Sequence, residues 1–356
     1  MVNIAPHCNF SRTFLPHSLD LETRLLAASK RFEALYTIFL DDFLDNFRKH
    51  NMPGKVIEYC LYSMNYNMPG GKLKRGLSVV DSVAILKGRE LTDEEYFKAA
   101  VLDCNIMDST TTRRGQPWYR LEGVGSMAIN DALVMEGATF QVVRMHFRTE
   151  PFYVDMLDLL QEGCHVIPPF STKSLNRHVQ VLYRTEMGQL VDLIIAPGHS
   201  VKLSMFSLAR YSTIVIHKTA RALYSFYLPV ALALLLCGFP VEMWNESDPD
   251  YYQIALDILV PLGVYFQIQG YLDYSGTPKQ IGKIGTDIDS EAEALVKEVF
   301  CEVGIDAVYA DYEVQSYVRI NALISAVPEV ESPNGDAVLR RTVFRAFLEK
   351  IYTRTK

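Results

Sequence analysis

This chain of 356 residues contains two adjacent arginines, Arg113 and Arg114, whose side chains are suited to binding phosphate groups. Each guanidinium is a planar fork of N–H donors that can bind a phosphate group through two parallel hydrogen bonds. On a helix, adjacent side chains point about 100° apart, so the two arginines can serve two different phosphate groups. The preceding Asp108 supplies a carboxylate of the kind that holds Mg²⁺. An arginine pair alone is common, however, and is a weak signal.

Two further cationic groups have the same chemistry. Lys72 and Arg75 lie three residues apart and would share one face of a helix, whose free N–H groups can also bind an anion. The simpler interpretation is a solvated basic turn. Lys218, followed by Thr219, stands among apolar residues, where burying a lysine is costly unless it meets an anion. The simpler interpretation there is a lysine that extends its amine to the surface.

The neighbouring residues resemble the motifs of fungal-type farnesyl diphosphate synthases. Residues 104–117 resemble the first aspartate-rich region, which runs Asp-Asp-x-x-Asp and then Arg-Arg-Gly-Gln-Pro, but its first two aspartates are here Cys104 and Asn105. Residues 266–273 resemble the second region, normally Phe-Gln-Ile-Gln-Asp-Asp-Tyr-Leu-Asp. In this chain one aspartate of that region is absent and its neighbour is Gly270. Residues 70–81 and 282–287 resemble two further segments of the same family.

The resemblance implies the roles of the candidate residues. It assigns Lys72 and Arg75 to isopentenyl diphosphate, the arginine pair to the two diphosphates, and Lys218 to the allylic diphosphate. Thr219 would stabilise the allylic cation, so Lys218 and Thr219 are the candidate catalytic residues. The full set of candidate substrate-binding residues is Lys72, Arg75, Arg113, Arg114, Gln267 and Lys283, and the candidate metal ligands are Asp108, Asp273 and Asp287.

The implied function is a farnesyl or geranyl diphosphate synthase-type prenyltransferase of isoprenoid biosynthesis with Mg²⁺ as cofactor. Because few carboxylates remain, we expect fewer metal ions than usual and impaired or altered activity. Two alternatives stay open. One is a non-catalytic partner subunit of an active prenyl diphosphate synthase, and the other is a terpene cyclase-like enzyme.

The chain also departs from the family pattern in length. It is shorter near residues 101–107, longer near 164–181, and has two extra residues between Thr219 and Tyr224, which disturb the helical phase after Lys218. The first two departures indicate either divergence towards a repurposed protein or an error in the gene model.

The hydrophobic pattern predicts an all-α protein, because apolar residues recur at helical spacing and alternating strand patterns are nearly absent. Thr92 and Glu95 form a capping box that should open one helix. The other predicted helices span 21–49, 127–148, 151–162, 178–196, 206–237, 249–272, 289–303 and 316–326. We expect a single domain over 1–356, and the resemblance implies a helical bundle of the isoprenoid-synthase type around a central cavity. It also implies a homodimer or a heterodimer with a related synthase.

Composition narrows the possible partners and location. A net charge of −7 and a pI near 5.7 disfavour nucleic acid as a partner. The six cysteines include no closely spaced pair, which fits a reducing compartment such as the cytoplasm. The most apolar stretch, residues 222–238, is short for a membrane span and contains Pro229, so we expect a buried helix and no stable membrane insertion.

Overall fold

The structure of the chain is a computed structural model that describes residues 21–67, 78–105, 118–161, 190, 223–241, 248–273, 298, 302 and 304–352. Within these ranges it contains ten α-helices, a 3₁₀ turn at Trp118–Arg120, a π-helical turn at Leu223–Tyr227 and no β-strand. The predicted all-α class is therefore confirmed. The helices are α1 (Leu21–Lys49), α2 (Gly54–Asn67), α3 (Ser78–Lys87), α4 (Asp93–Asn105), α5 (Met127–Phe147), α6 (Tyr153–Gln161), α7 (Leu228–Leu236), α8 (Tyr251–Asp273), α9 (Ile305–Ala326) and α10 (Arg341–Tyr352).

Most of the predicted helices that fall on described residues are present. Helix α1 has the predicted bounds, and both ends of α5, α6 and α8 lie within two residues of the predicted ones. Helix α9 begins at Ile305, well before the predicted 316, and α2, α3 and α10 were missed. The helix predicted over 206–237 is described from Leu223 onward. Those predicted over 178–196 and 289–303 lie outside the described residues, except for 190, 298 and 302, which are helical.

The chain divides into two compact units, which are described separately. The first unit contains Met1–Leu73 and Thr111–Asp131, and the second contains Lys74–Thr110 and Ala132–Lys356. A single domain and a central cavity remain predictions.

In the first unit, α1 packs against α2. Leu35, Phe39 and Phe43 recur every four residues along α1 and are all buried, as the helical pattern predicts. The hydroxyl of Tyr36 donates to Oδ1 of Asn65 at 3.1 Å, which adds a polar contact between the two helices.

The second unit is built around α7, which is buried along nearly its whole length. Its residues from Leu228 to Leu235 are all buried, and Leu228 and Val230 to Leu235 are each at most 2% exposed. Helices α3, α4, α6 and α8 all pack against it, and α10 packs against α3, α8 and α9. The expected buried helix is thus present. Among the described helices, none combines the length and the hydropathy that crossing a bilayer requires.

Helix α7 ends at a glycine that the backbone requires. Gly238 has φ +77°, a left-handed conformation that glycine adopts without strain. Its N–H donates to the carbonyl of Leu235 at 3.0 Å, and the next N–H, of Phe239, reaches the carbonyl of Leu234 at 3.0 Å. A Cβ at this position would lie 2.6 Å from Nδ2 of Asn334, so the loop around Asn334 closes against the glycine.

A network of charged side chains joins α3, α4 and the loop before α10. Lys87, whose side chain is 5% exposed, pairs with Glu95 at 2.9 Å and with Asp336. Arg89 donates two hydrogen bonds of 2.8 Å to Glu95. The predicted capping box is confirmed, because Thr92 N–H donates to Oε2 of Glu95 at 2.8 Å and Glu95 N–H donates to Oγ1 of Thr92 at 3.2 Å. Glu95 is therefore the centre of this network.

We predict that Glu95 makes stability depend on acid pH. The hydrogen bonds from Arg89, assisted by Lys87, hold the pKa of Glu95 far below its usual value of 4.5. Because the folded-state pKa is the lower one, the stabilisation is complete above 4.5 and is lost as pH falls through the folded value. Glu95→Gln should cost about 2 kcal/mol at pH 7 and should flatten the fall in unfolding free energy below pH 4.5, as measured by urea denaturation. Glu90→Gln, at an exposed position, is the control, and an equal acid slope in both variants would contradict the prediction.

Gly238→Ala should destabilise the protein by about 2 kcal/mol, because alanine is strained in the left-handed region and its Cβ would displace Asn334. The control is Gly54→Ala, since a Cβ at Gly54 meets nothing within 4 Å. Thermal unfolding followed by circular dichroism should show a lower Tm for Gly238→Ala alone. Equal Tm values for the two variants would be inconsistent with this account of the α7 end.

Candidate functional site

Two of the eleven candidate site residues lie on described backbone. Gln267 is half-buried near the end of α8, and Asp273 is the last residue of that helix. The other nine lie outside the described residues, and their roles remain predictions: Lys72, Arg75, Asp108, Arg113, Arg114, Lys218, Thr219, Lys283 and Asp287. Among the side chains that are described, no group of three or more His, Cys, Asp and Glu could hold a metal ion. The three candidate ligand side chains are not among those described, so this leaves the predicted metal site untested.

The end of α8 is anchored on two sides within the second unit. Tyr265 is fully buried, and its hydroxyl donates to Oε1 of Glu313 on α9 at 2.6 Å. Burial, together with this carboxylate, raises the pKa of Tyr265, which keeps it a neutral donor. The next ring, Phe266, packs edge-on against Phe226 at 5.4 Å between centroids. Gln267 follows directly, so its backbone position is fixed by packing.

Helix α8 continues through Gly270 to Asp273. A glycine within a helix costs about 1 kcal/mol relative to alanine. The lost aspartate therefore removes a carboxylate without ending the helix. Pro261 also lies inside α8, where it removes one backbone hydrogen bond.

A π-helical turn, Leu223–Tyr227, lies where the sequence predicts a disturbed helical phase. In a π turn each N–H bonds to the carbonyl five residues back, so the turn holds one residue more than an α turn. An extra residue in a helix can be accommodated in this way. An α-helix follows from Leu228, with Pro229 in its first turn, where a missing N–H is tolerated. Phe226 of the π turn is also 6.2 Å from Phe347 of α10, so the turn is packed on two sides.

In the first unit, the residue after Pro117 is the centre of an aromatic cluster. Trp118 is 1% exposed, and its ring lies 6.3, 5.2 and 5.1 Å from those of Tyr59, Tyr62 and Tyr66 on α2. It also begins the 3₁₀ turn, in which the N–H of Leu121 donates to the carbonyl of Trp118 at 3.1 Å. Both the side chain and the backbone of Trp118 are therefore held.

A buried carboxylate completes this cluster. Oδ2 of Asp131 accepts a hydrogen bond from Nε1 of Trp118 and another from the hydroxyl of Tyr59, each at 2.8 Å. Asp131 is 6% exposed, and these donors compensate for its removal from water. Burial and the hydrogen bond to Asp131 raise the pKa of Tyr59. We call Asp131, Trp118, Tyr59 and Tyr66 the Trp118 cluster.

The sequence analysis missed Asp131 and Tyr59. The position of Asp131 in the sequence could have indicated its importance. It is the one acidic residue in the first two turns of α5, where the other residues are uncharged. The motif identified over residues 104–117 ends one residue before Trp118 and does not indicate what holds that side chain.

The profile of a family described as Polyprenyl synthetase matches residues 57–297. A farnesyl pyrophosphate synthase of Ganoderma lucidum is 41% identical over 375 residues, covering 92% of this chain and 98% of that protein. One from Saccharomyces cerevisiae is 39% identical over 376 residues, covering 92% and 97%. Both aligned lengths exceed the 356 residues of this chain, so both relatives have residues without a counterpart here.

A solved structure supports the fold. The chain matches a T. brucei farnesyl diphosphate synthase complexed with bisphosphonate with a TM-score of 0.67, over 92% of this chain and 99% of that one. Its sequence identity of 23% is too low to support more than a shared fold. The profile match and the fungal relatives together show the family to which the chain belongs. The chain belongs to the polyprenyl synthetase family, the prenyltransferases of isoprenoid biosynthesis.

Proposed function

We propose that this prenyltransferase binds an allylic diphosphate and isopentenyl diphosphate but has little of the condensation activity that joins them. One contrast supports the proposal. Most cationic residues of the family motifs are present, including Arg113 and Arg114, although Ala292 lies near the position of one expected lysine, whereas the paired aspartates are replaced by Cys104, Asn105 and Gly270. The cationic residues can bind a diphosphate, but its departure as the leaving group needs the aspartates.

Mg²⁺ is the cofactor that this chemistry requires. Asp108, Asp273 and Asp287 would hold it, because carboxylate oxygens are the ligands that Mg²⁺ prefers. The unbroken helix up to Asp273 is compatible with that role. When bound, the metal neutralises charge on the departing diphosphate. Three carboxylates are few for a cluster of ions, so we propose fewer ions than in relatives with complete motifs.

The cationic side chains would share the same task. Arg113 and Arg114 can each grip one diphosphate, and Lys218 adds a point charge towards the allylic group. The hydroxyl of Thr219 would face the cation formed on ionisation. These groups bind and orient the substrates, but the departing group keeps more of its charge than it would with a full set of metal ions.

The lost carboxylates also favour a second candidate function. A partner subunit of an active synthase needs the family fold and its association surface but does not need a complete metal site. Binding of diphosphate without condensation is the behaviour expected of such a subunit.

We further propose that the chain associates with a second copy of itself or a related synthase through α5. Two apolar side chains of this helix are largely exposed: Ile129 is 71% exposed and Leu133 62%. Ile129 and Leu133 lie four residues apart and so share one face. Neighbouring exposed apolar side chains of this kind are compatible with an interaction site.

Pyrophosphate binding without rapid condensation is the expected result for the purified protein in Mg²⁺. Calorimetry with inorganic pyrophosphate should show saturable binding, weakened at least about tenfold when Arg113 and Arg114 are both replaced by alanine. Arg345→Ala, which removes an exposed arginine of α10, is the matched control. With geranyl and isopentenyl diphosphates, product should form more slowly than about 1 s⁻¹. Faster turnover would contradict the impairment, and absence of pyrophosphate binding would contradict the proposed function itself.

Leu133→Asp should produce a monomer, because a carboxylate at the centre of an apolar interface is left unpaired and desolvated. Sedimentation velocity of the full chain checks this, with Val308→Asp as control, since Val308 is also 61% exposed but lies on α9. The wild-type chain and Val308→Asp should sediment as dimers. A monomeric wild-type chain would rule out self-association, and a dimeric Leu133→Asp would place the interface elsewhere.

A further inference from the structure

We propose that Asn334 is a site of spontaneous deamidation, that the turn over residues 332–336 sets its rate, and that the isoaspartyl product loosens the loop from α3. Deamidation converts the side-chain amide into a carboxyl group, with water as the co-reactant. All the contacts that support the proposal lie in the second unit, around the loop before α10. The proposal is therefore independent of diphosphate binding.

Asn334 and Gly335 form the one Asn-Gly pair in the sequence. Glycine has no side chain, so its backbone nitrogen can approach the side chain of the preceding asparagine closely. Both residues are exposed, which gives water access to the amide. Asn334 therefore combines an unhindered neighbouring nitrogen with contact to solvent.

The reaction needs only these two residues and water. The backbone nitrogen of Gly335 loses its proton to water or hydroxide and forms a bond to Cγ of Asn334. The bond from Cγ to Nδ2 breaks, and Nδ2 takes a proton from water and leaves as ammonia. Water then opens the succinimide ring. Cleavage of the bond from the nitrogen to Cγ gives aspartate, whereas cleavage of the bond from the nitrogen to the main-chain carbonyl carbon gives isoaspartate.

The turn restrains the attacking nitrogen. The N–H of Gly335 donates to the carbonyl of Ser332 at 2.8 Å, which closes a β-turn with Pro333 at its second position. Gly335 has φ +69°, a conformation that suits glycine. Oδ1 of Asn334 accepts from Oγ of Ser332 at 2.6 Å and from the N–H of Asp336 at 3.2 Å. The amide is thus held beside the backbone, and the nitrogen becomes free to attack when the turn hydrogen bond opens.

The same loop is fastened to the end of α3. The N–H of Val338 donates to the carbonyl of Leu86 at 2.9 Å. Asp336 pairs with Lys87 and, at 3.2 Å, with Arg89. Both sets of contacts depend on where the turn places the residues that follow it.

Isoaspartate changes the turn in two ways. Its backbone runs through Cβ and Cγ, so it is longer by one carbon and disturbs the register in which the N–H of Ser332 meets the carbonyl of Ala337 at 2.8 Å. Its new carboxylate adds negative charge beside Asp336, and like charges repel. The product should therefore weaken the contacts between the loop and α3.

The experiment follows the full chain in mildly alkaline buffer at constant temperature, both folded and unfolded in urea. Peptide mapping by mass spectrometry measures the deamidated fraction at each asparagine. Digestion in water enriched in heavy oxygen marks any deamidation that occurs during digestion. Asn334 should deamidate at least about fivefold more slowly in the folded chain than in the unfolded chain, because a hydrogen bond must first open. Isoaspartate should be among the products.

The chain offers two matched controls. Asn51 is also exposed, and the N–H that follows it, of Met52, also donates a hydrogen bond, to the carbonyl of Phe47 at 3.1 Å. Because Met52 carries a side chain, Asn51 should react far more slowly. Pro333→Ala, which removes a restraint on the turn, should speed the reaction at Asn334 about twofold to fivefold in the folded chain alone. Pro53→Ala, at an exposed proline of the first unit, should leave that rate unchanged.

The rates separate the parts of the proposal. If Asn334 reacts no faster than Asn51 in the folded chain, the modification site is overturned. Equal rates at Asn334 in the folded and the unfolded chain overturn control by the turn. A folded Pro333→Ala variant that reacts at the wild-type rate also overturns it.

Thermal unfolding before and after incubation reports on the loop. Wild-type chain shown to contain isoaspartate should have a Tm lower by about 2 °C or more. Asn334→Gln, whose longer side chain would have to close a larger ring, should keep its starting Tm. Asn334→Asp, which adds the charge without the extra backbone carbon, should lose less than the isoaspartyl product. An unchanged Tm in wild-type chain that is rich in isoaspartate overturns the loosening.

Discussion

The need to bury α7 on every side constrains the second unit more than any other feature. Its sequence, Leu-Pro-Val-Ala-Leu-Ala-Leu-Leu-Leu, offers no polar face, so water must be excluded all round. Helices α3, α4, α6 and α8 supply that cover. Burying one such leucine is worth about 2 kcal/mol, and the helix has five. Both ends are then specified by backbone chemistry: Pro229 is tolerated only in the first turn, and Gly238 closes the last one.

Among the residues that the structure describes, Lys87 and Asp131 show how a charged side chain is accommodated away from water. Lys87 is nearly buried, but two carboxylates meet it, and Asp131 is buried between two aromatic donors. In each case the isolated charge would be unfavourable, and the surrounding hydrogen bonds fix its geometry. The consequence differs in the two units. Around Lys87 the network fastens α3 to the loop before α10, whereas around Asp131 it fastens a loop that leads directly to the arginine pair. In both units, hydrogen bonds to a buried or nearly buried charged group thus hold separate segments of the chain together.

Residue patterns anticipated the helices whose apolar face is long and regular. Helix α1 repeats Leu35, Phe39 and Phe43 at one spacing, and its bounds were predicted correctly. Helix α9 was predicted too short because its first half exposes Val308 and Val314, so apolar residues there do not mark a buried face. Helix α10 was missed although its buried residues have clear helical spacing. The Trp118 cluster could not be read from sequence, because its members lie up to 72 residues apart and meet only through tertiary packing. The motif residues themselves were identified through resemblance, and nine of the eleven lie outside the described part of the chain.

A site that keeps its arginines and lysines but lacks the paired aspartates separates substrate binding from catalysis, which a complete site combines. Cationic side chains attract a diphosphate in the ground state almost as strongly as in the transition state. Binding the ground state and the transition state equally lowers KM but does not raise kcat. Metal ions differ because they stabilise the charge that develops as the diphosphate departs. By our proposal, a chain with Cys104, Asn105 and Gly270 at aspartate positions of the motifs, and with Arg113 and Arg114 present, holds substrate and turns it over slowly. Selection for a fast catalyst would not preserve that combination, whereas selection for a binding or partner role would.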